Sequence, residues 1–133
     1  MAQRNIKIEA RATVATARKT PTFEALVYNG GKMELAGWDL PVVIDLAGLE
    51  IGNQLVANLD HDPAKRVGNF QVTNNGSQLV ANGTCSAATP WRDEVVNSAK
   101  EGFIWQASVE VSPVDLRRFA FADRFEFRGV NFD

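Results

Sequence analysis

At 133 residues, with 45% hydrophobic and 23% charged side chains, the chain suits one soluble domain built on one core. A formal net charge of -2 speaks against a nucleic-acid binder, which needs a basic stripe to displace counterions from phosphates. No apolar run nears the roughly 20 residues a membrane-spanning helix requires. The single cysteine, Cys85, excludes an internal disulfide and any zinc site built on several cysteines. With no apolar leader after Met1, a reducing cytoplasm is the expected compartment.

The first predicted element is a strand. Between Asn5 and Ala17, Ile6, Ile8, Ala10, Ala12 and Val14 alternate with Lys7, Glu9, Arg11 and Thr13, the period of two that buries one face of an extended segment. Thr22 to Tyr28 predicts a second strand, closed by the turn residues Asn29-Gly30-Gly31. Pro41 to Leu46 reads as a buried strand, with Ala47-Gly48-Leu49 leading out of it. Leu55 to Leu59 then enters the segment Asp60-His61-Asp62-Pro63.

Arg66 to Thr73 and Gln78 to Cys85 flank Asn74-Asn75-Gly76-Ser77, a hairpin whose turn residues tolerate positive φ. Asn75-Gly76-Ser77 and Asn82-Gly83-Thr84 match the glycosylation acceptor pattern, but without a leader they read as turns between strands. Thr89 and Pro90 form an N-cap and first helical residue, Asp93 and Glu94 lie near the positive end of the dipole, and Gly102 is the stop. Trp91, Val95, Val96 and Ala99 share one side of this helix. Strand resumes over Phe103 to Val111 and Phe119 to Arg128; if the latter is continuous, Phe119, Phe121, Phe125 and Phe127 fall on one face, which must be covered. No repeat or linker divides residues 1–133, so the expectation is a single domain, mainly β with helix (α+β), folded as a closed or nearly closed β-barrel.

Chemistry converges on His61, the only histidine. An imidazole takes and returns a proton near neutrality, and a chain with one of them has one such base. Asp60-His61-Asp62 as a metal site is disfavoured, because successive residues of an extended segment point to opposite faces. A plain surface histidine in a polar turn is the alternative. The candidate nucleophile is Ser108: parity along the strand puts Trp105, Ala107, Val109 and Val111 on an apolar face and Gln106, Ser108, Glu110 and Ser112 on a polar one. That face suits a cleft or open solvent equally. Cys85, the rival nucleophile, reads as a packed thiol.

Asn58-Leu59-Asp60-His61-Asp62, then Val67-Gly68, a helix, and Gly102-Phe103 with Trp105-Gln106-Ala107-Ser108 resemble, in that order, the prohead (capsid maturation) serine proteases of tailed phages, which are related in fold to herpesvirus assemblin. Pro41 to Leu49 also resembles the strand and loop that precede the histidine in some members, so the likeness covers Thr22 to Asp133. It implies an assemblin-like barrel flanked by helices, Ser108 as nucleophile and His61 as general base. It further implies capsid or scaffold protein as substrate, within a prohead assembling in the bacterial cytoplasm, and no metal or cofactor.

The chain also departs from that pattern. The family orients its base with a third residue downstream of the serine, a histidine in the herpesvirus branch and commonly a carboxylate in phage members. There is no second histidine here, and the sequence stops shortly after Phe127-Arg128-Gly129, where phage relatives continue into a further apolar strand. The expectation is therefore a domain truncated at its C-terminus with weak or absent activity. Asp60 and Asp62 should point away from the face of His61, Glu110 is as readily solvated, and Arg117-Arg118 reads as a surface turn. The rival reading is a noncatalytic assembly module on the same barrel, forming a homo-oligomer through the Phe119-to-Phe127 strand.

Overall fold

A computed structural model of the chain describes residues 6–34, 41–52, 55–113, 119–121 and 124–129. Period-two alternation becomes strand where expected: β1 (Ile6–Ala15), β2 (Thr22–Tyr28), β3 (Leu55–Leu59), β4 (Asp62–Asn74), β5 (Leu79–Thr84) and β6 (Trp105–Pro113). Two short strands follow, β7 (Phe119–Phe121) and β8 (Arg124–Arg128), and one helix, α1 (Pro90–Lys100), precedes β6. The sheet runs β1-β2-β5-β4-β3-β8-β6, and β6 pairs back onto β1, so seven of the described strands close into a barrel. β7 extends the ladder along β6.

Inward residues form one core. Ile6, Ile8, Ala12, Phe23, Ala25, Leu55, Ala57, Leu59, Leu79 and Ala81 are all buried, as the parity of their strands dictates. At the centre the Phe23 ring lies 4.8 Å from Phe125 and 5.0 Å from Phe127, and Phe70 lies 5.5 Å from Phe125, in tilted or edge-on contacts that rings prefer to flat stacking. Burying each such ring stabilises the fold by roughly 1.5–3 kcal/mol. Strands approach closely beside this cluster: a Cβ added to Gly68 would lie 1.8 Å from the Thr84 carbonyl oxygen, so only glycine fits there.

The helix seals the barrel beside Trp105. Thr89 is its N-cap, with Oγ1 accepting from the Arg92 N–H at 3.1 Å and donating to the Arg66 carbonyl on β4. Val95 and Val96 are buried, Trp91 and Ala99 pack against the core, and the Trp105 indole N–H donates to the Val95 carbonyl at 3.0 Å. Gly102, at φ 89°, turns the chain out of the helix.

Three expectations are corrected. Pro41 to Leu46 is not a strand: Val42 makes a single bridge to Met33, Val43 is 58% exposed, and Leu46–Gly48 is a 3₁₀ turn capped by Asp45. Its buried anchors are Ile44, whose N–H donates to the Tyr28 hydroxyl, and Leu46, so the apolar run is a loop pinned at two points rather than a ladder. Asn82-Gly83-Thr84 lies inside β5, not in a turn, because the strand pairs with β2 and β4 through Thr84.

The third correction concerns the C-terminal strands. Phe119 to Arg128 is two strands: Ala120 faces Ser112 and Glu126 faces Ser108, so six steps along one side match four on β6. Phe125 and Phe127, each 0% exposed, fill the barrel interior; the side chains of Phe119 and Phe121 lie outside the described residues. β8 occupies the slot between β3 and β6.

Candidate functional site

The slot filled by β8 is where the outer face of the barrel changes character. β8 runs parallel to β3 and antiparallel to β6, which aligns Asn58, Glu126 and Ser108 in one cross-strand row; β1 extends it with Glu9 opposite Ser108. Directly opposed residues of neighbouring strands share a face. It is the face opposite the core, since Ala107 and Val109 on either side of Ser108 point inward and are buried. Yet Ser108 and Asn58 are each only 3% exposed, and no other polar residue among those described is buried.

β3 delivers His61 to this row. The ladder continues one step past the strand, with the Asp60 N–H donating to the Phe127 carbonyl at 3.0 Å. Then Leu59 pairs with Asp62 across a two-residue turn whose central residues, Asp60 and His61, both take left-handed φ, 55° and 57°. This is the turn that matches the twist of a hairpin, and Asn-Gly is its usual sequence; a histidine there is strained. On the return strand Asp62 Oδ1 accepts from the Ala64 N–H at 2.9 Å, and Arg66 is the next residue to pair, opposite Asn58, so Pro63, Ala64 and Lys65 bulge out of the ladder.

Charged groups on β1, β6 and β8 act on the imidazole. Although His61 is largely exposed, partial burial pushes its pKa below the ordinary 6.5, Arg128 and Lys7 lower it further, and Asp60 and Glu110 offset part of this. Arg128 pairs with Gln106, and Lys7 pairs with Glu110, so these groups lie on both sides of Ser108 along β6. The fold thus carries His61 on the turn that follows β3, and Ser108, 47 positions later, on β6, with β8 between the two strands. No hydrogen bond joins the two side chains. At neutral pH the depressed pKa leaves the imidazole uncharged, the form a general base requires.

Other candidates are kept apart. Cys85 is fully buried and its thiol is pushed up to about 11 by that burial, with Arg92 pulling weakly the other way, so it is a packed thiol with little thiolate. Among the described residues no three His, Cys, Asp or Glu groups converge as metal ligands. Arg117 and Arg118 lie outside the described residues. Sequence reasoning missed Asn58 and Glu126 as neighbours of Ser108, because a parallel β3–β8 pairing between segments nearly 70 residues apart leaves no local signal. No family model, curated protein or solved structure matches the chain.

Proposed function

We propose that the chain is a serine peptidase domain of the prohead (capsid maturation) type, with an assemblin-like barrel, Ser108 as nucleophile and His61 as general base. The observation that carries this reading is the bracketing of Ser108 by the same charges that act on His61. His61 takes the Ser108 proton as the oxygen attacks a peptide carbonyl; the acyl-enzyme forms as the amine leaves with that proton, and water then releases the acid. The substrates are segments of capsid or scaffold protein within an assembling shell in the bacterial cytoplasm. Glu126 holds the register position next to Ser108 on a strand downstream of it, which makes it the carboxylate to test for the family's third role.

The burial of Ser108 favours a second reading, a noncatalytic assembly module that keeps the two residues as relics. A fluorophosphonate probe separates the two. Labelling of the chain that disappears in both Ser108→Ala and His61→Ala establishes an assembled, nucleophilic pair. Absence of labelling in the folded wild-type chain removes the peptidase reading and leaves the module.

A further inference from the structure

The chain holds three Asn-Gly pairs: Asn29-Gly30, Asn75-Gly76 and Asn82-Gly83. Glycine has no side chain to shield its nitrogen from the amide carbon that precedes it, so each pair is open to attack of the backbone on the side chain. The fold treats the three differently. Asn82-Gly83 lies inside β5, where Gly83 pairs with Phe23 on β2 and Phe70 on β4, and a Cβ on it would collide with the Asn69 carbonyl oxygen. A peptide gripped from both sides stays extended. Asn75-Gly76 is exposed at the tip of the β4–β5 hairpin, yet the Gly76 N–H donates to Asn74 Oδ1 at 3.0 Å, and Asn75 Oδ1 accepts from the N–H groups of Ser77 at 2.9 Å and Gln78 at 2.7 Å. Asn29-Gly30, just past β2, is equally exposed and has one such bond, from the Gly31 N–H to Asn29 Oδ1 at 2.9 Å. The Gly30 N–H donates to no group among the described residues.

We infer that Asn29 is a site of spontaneous deamidation, the free N–H of Gly30 being the nucleophile, while Asn75 and Asn82 are protected by the hydrogen bonds around them. The Gly30 nitrogen gives its proton to solvent and bonds to Asn29 Cγ, closing a succinimide. The Cγ–Nδ2 bond breaks, and the amide nitrogen takes up a proton and leaves as ammonia. Water then opens the ring at either carbonyl, giving aspartate or isoaspartate. The Gly31 N–H already bonded to Asn29 Oδ1 draws electrons from Cγ and favours the attack. At Asn75 the nucleophile itself is engaged, since the Gly76 N–H is given to Asn74. The change would be felt in the fold. The Tyr28 hydroxyl donates to the Gly31 carbonyl at 2.6 Å and accepts from the Ile44 N–H at 3.0 Å, so this turn pins the loop that carries Ile44. Isoaspartate lengthens the backbone of the turn by a methylene, and either product puts a carboxylate in a cavity that Asp45 also lines.

The reaction needs only water and stands apart from the peptidase reading. The full chain is incubated in mildly alkaline buffer, folded and in urea, and tandem mass spectrometry of the tryptic peptides 20–32 and 67–92 follows the amide-to-acid mass change at each of the three sites. In the folded chain Asn29 should convert at least about fivefold faster than Asn75, the margin one hydrogen bond on the nucleophile supplies, with Asn82 slowest. In urea the three rates should converge. Asn74→Ala should speed conversion of Asn75, whereas Asn74→Asp, which keeps the acceptor oxygen, should not. Asn75 or Asn82 converting as fast as Asn29 in the folded chain overturns the inference, as does an Asn29 that stays intact while the urea-unfolded chain converts. Incubation should also lower the thermal midpoint of the wild-type chain and leave that of Asn29→Gln unmoved; equal drops in both overturn the link to the Ile44 loop.

Discussion

The barrel has two unlike halves. Across β1, β2, β5 and β4 all pairing is antiparallel, with one slip near Val27, the turn at Gly76 uses glycine at φ 87°, and outward side chains such as Thr13, Glu24 and Asn82 meet solvent. Across β3, β8 and β6 the chain makes its parallel pair, interrupts the β3–β4 ladder twice, places Asp60 and His61 at left-handed φ and buries Asn58 and Ser108 on the outer face. The first half is regular apart from that slip, and the second breaks several local rules within a few residues. Local rules broken together motivate a functional hypothesis for that place.

The contrast is open to attack, beginning with the core both halves share. Phe125→Ala removes a fully buried ring that touches Phe23, Phe70 and Phe127 and should cost about 3–5 kcal/mol in urea or thermal unfolding. A loss below about 1 kcal/mol would mean that β8 does not close the barrel. Gly68→Ala, where the strands crowd, should cost about 1–3 kcal/mol by forcing β4 and β5 apart, and a neutral result would contradict that approach.

In the irregular half the sign should reverse. His61→Gly relieves a left-handed residue and is expected to raise stability by about 1 kcal/mol while abolishing any fluorophosphonate labelling. Destabilisation instead would show that the histidine is kept for the fold. The smallest expected effect is on pH dependence. Because the folded imidazole resists protonation, the unfolded chain takes up the proton first as pH falls below 6.5, so this group's contribution to stability is full above 6.5 and is lost through the window beneath it. The acid limb of the labelling rate should likewise lie below 6.5, and a limb above it would contradict the lowered pKa.

Local order was legible wherever period and chemistry acted on neighbouring residues. β1, β2, β5 and the Thr89-capped helix stand within a residue or two of their predicted ends, β4 begins four residues before its predicted start at Arg66, and the inward parity of Trp105, Ala107, Val109 and Val111 is as read. The Pro41-to-Leu46 run misled because continuous apolar character says that a segment is buried, not whether a partner strand lies beside it; here Tyr28 and the core hold it as a loop. His61 and Ser108 were legible as candidates by residue type and motif, whereas their shared patch was not.

The sequence alone thus determined one β-rich domain, its helix and hairpin, which residues face the core, and the single available imidazole, since all of these follow from side-chain alternation, capping and composition. Tertiary structure decided the closure of the barrel, the insertion of β8 between β3 and β6, and with it the row that joins Asn58, Glu126, Ser108 and Glu9. Those depend on pairings between segments far apart in the chain, whose register is chosen by the volume of the shared core, and no window of sequence contains that volume.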